Sequence, residues 1–173
     1  MPKPTLDILA SPIKPEEIEW RVQNQTKDGQ KVVVVPYITN RCVMERFDAQ
    51  FGWDGWENTF EQVTDGFICC LTITTEDGRR VTKSDAASRT NVEPVKGGCS
   101  DAMKRCAVQF GLGRGLYRYP KVMIQTTDKY IPDWAERLLD ALVVKINQGS
   151  SVNDVIVLKP EHAKNLAPVS KQS

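Results

Sequence analysis

Lys104 and Arg105 are adjacent long cations, and their pairing carries the most pointed chemistry in the chain. Cys99, Met103, Cys106, Ala107 and Phe110 recur at helical spacing and predict a helix over 99–110, with Asp101, Lys104 and Arg105 off its apolar stripe. Neighbouring cations on one helix can straddle adjacent phosphates, Arg bidentately and Lys as a point charge. A solvated helix face is the competing account of the same pair. Lys96-Gly97-Gly98 stands just ahead of that helix and could present backbone N–H groups to a phosphate, or simply let a loop turn into the helix. It lacks the order of a nucleotide-hydrolysing phosphate loop. Gly111-x-Gly113-x-Gly115 follows a helix rather than a strand, so it reads as a helix stop or close-packing site, not a dinucleotide fingerprint. Tyr37, Trp53 and Trp56 could stack on bases, although core or turn packing is the simpler account of each.

Catalytic groups are sparse. The five cysteines, Cys42, Cys69, Cys70, Cys99 and Cys106, include no C-x-x-C pair and read as reduced, mostly buried small hydrophobes. The single histidine, His162, is remote from them in sequence, which leaves neither a zinc ligand set nor a Cys-His nucleophile pair. The chain is therefore read as a non-enzyme that needs no metal or cofactor.

The formal charge is only +1, but it is unevenly placed. Residues 43–65 hold six acids (Glu45, Asp48, Asp54, Glu57, Glu61, Asp65) against Arg46, a net of −5. Residues 96–121 hold six bases (Lys96, Lys104, Arg105, Arg114, Arg118, Lys121) against Asp101, a net of +5. Local fields of this kind steer polyanions even when total charge is near zero. They are equally consistent with two solvated faces of a neutral protein. No apolar run approaches the roughly 20 residues of a membrane helix, and the first residues lack a secretory signal, so the expected compartment is the cytoplasm, with no membrane partner.

These residues need a frame. Residues 1–14 are Pro-rich and read as a flexible N-terminal arm, and residues 15–20 as a short helix start. The β-branched run 31–38 predicts a strand that Pro36 places at an edge or near its end. Thr39-Asn40 caps a helix to about Phe51, with Val43, Met44, Phe47 and Phe51 inward. Turns at Thr64-Asp65-Gly66 and Glu76-Asp77-Gly78 separate strands at about 56–63, 67–75 and 79–86, an antiparallel meander. Residues 87–98 read as a polar loop and 117–131 as irregular or extended. A helix over 134–146 turns Trp134, Leu138, Leu142 and Val143 inward. The main domain is expected over 15–147, and 148–173 is expected to be a weakly ordered tail with one β-like run, Val155–Leu158. The class is α+β: an antiparallel β-meander with helices packed on one face.

The ordered set Tyr37-Ile38, Arg41, Phe51-Gly52-Trp53-Asp54-Gly55-Trp56, the turn at Asp77-Gly78, and Lys96-x8-Lys104-Arg105-x4-Phe110-Gly111 resembles the annealing domain of the Rad fifty-two family of recombination proteins. The likeness spans about 17–118 and is closest to the branch of bacterial DNA-damage-response A-like and phage annealing proteins. It implies a β-β-β-α core with flanking helices. It also implies subunits closed into a ring whose outer groove holds single-stranded DNA by its backbone. By the same resemblance, Lys104 and Arg105 match the family's groove pair and Arg21 a further groove arginine. Arg41 matches an arginine of structural or phosphate-binding role, and Lys96 lies near a family lysine. Val108 stands where family members can carry one more arginine, and the 87–98 loop differs, which leaves a second DNA site without support. A C-terminal recombinase-binding region is not expected.

The expected function is single-stranded DNA binding and strand annealing in homologous recombination and double-strand break repair, by a homo-oligomer that can also meet a recombinase or an exonuclease. The alternatives are a double-stranded-RNA-binding-like module and a small metal-dependent nuclease.

Overall fold

Asp-Gly turns, capped helical patterns and alternating apolar runs each leave a mark on the architecture. A computed structural model describes residues 6–164. In chain order the elements are α1 (Asp7–Ala10), β1 (Ile18–Gln25), β2 (Lys31–Ile38), α2 (Asn40–Phe51), β3 (Trp56–Val63), β4 (Gly66–Thr74), β5 (Arg80–Ser88), α3 (Pro94–Gln109), β6 (Lys121–Gln125), α4 (Asp133–Asn147), β7 (Val155–Leu158) and α5 (Pro160–Ala163), with 3-10 turns at Pro15–Glu17 and Arg114–Arg118. Contacts group them into two compact units. One holds the residues up to Ile13 together with Ile38–Tyr117; the other holds Lys14–Tyr37 and the residues from Arg118 on.

The first unit contains the predicted meander. β3, β4 and β5 pair antiparallel in that order, with Trp56 opposite Ile73 and Phe67 opposite Ala87. On the central strand Phe67, Cys69, Leu71 and Ile73 share one face by the period of two. All four are buried, and α3 packs on β4 and β5. Phe47 of α2 is fully buried, with ring contacts to Phe51, Trp56 and Phe110. Thr39 caps α2 by accepting the Cys42 N–H at 3.0 Å. Met44, expected inward, is 45% exposed, because the buried face runs through Cys42, Val43, Arg46 and Phe47 instead. The stretch expected to be a loose arm is docked over its described residues: Leu9 and Ile13 are buried and α1 packs on α2. Buried Arg46 holds it there, donating to the carbonyls of Ile8 at 2.7 Å and Pro12 at 2.9 Å.

α3 begins at Pro94, a turn and more before the predicted start. Proline suits the first helical turn, and the Gly97 N–H donates to the Glu93 carbonyl at 2.8 Å, which puts both glycines inside the helix. Their role is close packing: a Cβ on Gly98 would lie 2.7 Å from the Phe67 ring. Gly111 and Gly113 end the helix with φ of 106° and 70°, values only glycine adopts freely.

The second unit is a four-stranded sheet in the order β1-β2-β6-β7. Pro15–Glu17 forms only a 3-10 turn, and the helix expected over 15–20 gives way to β1, whose Trp20 and Val22 pack on the core at alternate positions. β2 lies between β1 and β6 rather than at an edge; its antiparallel ladder to β6 runs from Lys31 opposite Gln125 to Val34 opposite Val122 and ends before Pro36, which cannot donate to it, while the strand continues to Ile38. β6 and β7 run parallel, Val122 opposite Ile156, joined through α4 as a parallel pair requires. Val32, Val34, Val122, Ile124, Ala135, Leu139, Leu142 and Leu158 make the core. α4 is therefore rotated from expectation: Ala135 and Leu139 are inward, and Trp134 and Leu138 sit partly buried beside them. The expected loose tail is a strand and a short helix as far as Lys164; residues 1–5 and 165–173 lie outside the described residues. The molecule is α+β, with its meander antiparallel and one parallel pair in the second sheet. No helix among the described residues is long and apolar enough to cross a membrane.

Candidate nucleic-acid interface

α3 lifts Arg105 out of the first unit. Its side chain is 55% exposed, and its Nε lies 3.1 Å from Asp85 Oδ1 on β5. Gln109, one turn on, donates from Nε2 to the Ser84 carbonyl at 2.6 Å and approaches the other Asp85 oxygen at 3.4 Å. The Gln109 carbonyl in turn accepts from Lys83 Nζ at 2.6 Å and from the Arg114 guanidinium at 3.1 Å, and Arg114 also reaches the Val108 carbonyl at 3.0 Å. These carbonyls are the acceptor-rich end of α3, where cations are favoured. Lys83 and Arg114 thus meet at the Gln109 carbonyl, while Arg105 pairs with the Asp85 carboxylate. The side chains that hold them are fixed by the fold, while exposed Arg105 can exchange Asp85 for another oxyanion.

Lys104 departs from its expected place. It is 8% exposed, and its ammonium meets Asp101 at 3.3 Å. Successive residues are about 100° apart around a helix, so Lys104 turns to the margin of the buried stripe while Arg105 faces solvent. The two do not form one exposed pair. Lys96 is on α3 about nine residues before Arg105, roughly 13 Å along the axis; its side chain is 76% exposed and paired with Glu93 at 3.0 Å. Its neighbouring N–H groups serve the first turn of the helix rather than an open loop. Arg41 is exposed on the first turn of α2. In the second unit Arg21 is exposed on β1, paired with Glu19 at 3.1 Å, with its guanidinium 5.3 Å from the centre of the Tyr37 ring.

Residue-type reasoning passed over Lys83. It lies on β5, where period two sends Val81, Lys83, Asp85 and Ala87 to one face; that alternation was the available signal. Of the aromatics, Trp56 is half-buried against Phe47, its Nε1 donating to Asp48 at 2.7 Å, whereas Tyr37 is 43% and Trp53 83% exposed. Cys42, Cys69 and Cys106 are buried, Cys70 and Cys99 half-buried, and all five are free thiols. A hydrogen bond with Cys106 and burial raise the Cys69 thiol well above its ordinary range, consistent with a structural role. Among the described residues no group of three or more His, Cys, Asp or Glu side chains is placed to hold a metal ion.

An antiparallel meander backed by a helix whose far end gathers cations fits a class of DNA-repair protein. Residues 4–135 match the family model of the Rad52/22 double-strand break repair proteins, and the chain belongs to that family. Similar to it are two bacterial proteins, each named single-stranded DNA-binding protein DdrA. The one from Deinococcus deserti is 30% identical over 142 residues, 73% of this chain and 67% of that protein. The one from Deinococcus radiodurans is 29% identical over 140 residues, 74% of this chain and 64% of that protein.

Proposed function

We propose that this protein binds single-stranded DNA through its sugar-phosphate backbone and promotes annealing of complementary strands during recombinational repair of double-strand breaks. It does so as a homo-oligomeric ring in the cytoplasm and without bond chemistry. The carrying observation is the exposed Arg105 guanidinium on α3, the helix whose end carbonyls hold Lys83 and Arg114, at the position the family resemblance assigns to a groove cation. The DNA-binding names of the relatives support the ligand. Cations that neutralise phosphates release counterions, which supplies affinity without sequence reading. A strand held extended has less ordering entropy to lose when its complement arrives.

In this reading the function resides in residues 15–147. Arg105 grips a phosphate directly, with Lys83 and Arg114 adding local field. Arg21, Arg41 and Lys96 contribute further backbone contacts, and Lys104 acts through its Asp101 pair as a positioning residue. A recombinase or an exonuclease is the proposed class of protein partner. Arg105→Ala, shown folded by circular dichroism, should weaken binding of a labelled single strand and reduce the slope of log affinity against log salt by about 1. It should also slow annealing of complementary strands. Unchanged affinity and slope would remove Arg105 from the interface. Preferential competition by duplex RNA would redirect the protein to another ligand class.

A further inference from the structure

Tyr117 is 73% exposed just beyond the C-terminal end of α3. It lies on the 3-10 turn Arg114–Arg118. Side chains three residues apart eclipse in such a turn, so the ring shares an edge with Arg114, about 6 Å from it along the axis. Arg114 is fixed by the Val108 and Gln109 carbonyls at 3.0 and 3.1 Å. The Gln109 side chain approaches Asp85 at 3.4 Å, and Arg105 meets the same carboxylate at 3.1 Å. A connected set of groups within one compact unit therefore runs from the exposed Arg105 guanidinium to the exposed ring.

The turn that carries the ring is anchored. Leu112 is fully buried, and Gly113, with φ of 70°, lies so close to Ile38 that a Cβ would come within 2.7 Å of that side chain. The Leu116 N–H donates to the Gly113 carbonyl at 3.0 Å. A ring presented on so fixed a base has little entropy to lose on docking. The other exposed aromatics weighed for stacking are differently placed. Tyr37 already has the Arg21 guanidinium 5.3 Å from its ring centre, and Trp53 stands beside Asp54, with Asp48 at the foot of its turn. Among the described residues no ring or cation is stacked on Tyr117. Grooves that hold single strands combine cations that follow the phosphates with ring faces that receive the bases. Arg105, Arg114 and Tyr117 supply both parts.

We infer that Tyr117 is a base-stacking residue, receiving one nucleobase of a single strand whose phosphate is held by Arg105 in the field of Arg114. The inference rests on the single-strand-binding reading above and adds to it a contact with the base. Every base has a π face, so this contact leaves the sequence unread.

The test compares wild type, Tyr117→Ala and Tyr117→Phe for affinity toward a labelled single strand and an abasic strand of equal length, across a salt series. Wild type should prefer the strand that carries bases. Tyr117→Ala, with its far-ultraviolet spectrum and melting temperature retained, should bind that strand about 5- to 150-fold more weakly, the loss of one stacked base. It should bind the abasic strand as wild type does and keep the wild-type salt slope. Tyr117→Phe, which keeps the ring, should match wild type on both strands. Irradiation of wild type bound to an iodouracil-bearing strand should join that strand to Tyr117, read by mass spectrometry of the digest, which requires no variant to fold. A wild type that bound neither strand would overturn the single-strand reading and this contact with it. Full affinity of Tyr117→Ala for the base-bearing strand, or an equal loss on both strands, would overturn the stacking contact alone. So would photoadducts confined to other residues.

Discussion

Lys104 and Arg105 are covalent neighbours whose surroundings give them different work. Arg105 projects from α3 with a replaceable carboxylate partner, Asp85, at 3.1 Å. Lys104 is 8% exposed and has spent its charge on Asp101. Replacing both members of a buried ion pair by apolar side chains can leave stability nearly unchanged, but removing one leaves the other charge uncompensated. Lys104→Met deprives the partly exposed Asp101 carboxylate of its ammonium partner and should lower unfolding stability in urea by about 1–3 kcal/mol, while leaving the salt slope of single-strand binding at the wild-type value. A slope reduced as far as in Arg105→Ala would mean that Lys104 itself reaches a phosphate. The residue types and their order made Arg105 legible from sequence alone. The burial of Lys104 was not legible, because a linear reading of charge does not specify the azimuth of each residue around its helix.

The contact between α3 and β4 shows how tightly the elements set the site. Gly98 brings the helix against Phe67, and a methyl there would come within 2.7 Å of the ring. Gly98→Ala gains about 1 kcal/mol of helix propensity but overpacks a core contact, at a cost of about 1–3 kcal/mol. The net expectation is a lower thermal midpoint; a raised midpoint would show that the ring has room to yield. The same glycines obscured the element in sequence, since Gly97-Gly98 reads as a loop until the packing that demands it is visible. Elements bounded by strong local chemistry were legible: the Asp-Gly turns marked β3, β4 and β5, and Thr39 marked the start of α2. Elements stabilised by distant partners were less so. β1 follows a helix-like Pro-Glu-Glu start, β6 is five residues long, and β7 is held by parallel pairing to β6 across α4. α4 itself was legible, but its inward face was displaced by one residue because Trp134 and Leu138 are apolar yet only border the core.

Across the whole molecule, formal charge is nearly balanced at +1, while the segments 43–65 and 96–121 differ by ten charges, −5 against +5. Local charge of this kind can steer a polyanion even when the net charge is close to zero. In the proposed function, single-stranded DNA is held by its phosphates and its base letters go unread. The most direct test is an anisotropy titration of several fluorescent single strands of unrelated sequence but equal length, repeated across a range of salt concentrations. The expected result is the same affinity for every sequence at each salt, with log affinity falling linearly against log salt. Binding that ignored salt, or that favoured one sequence strongly over the rest, would contradict it.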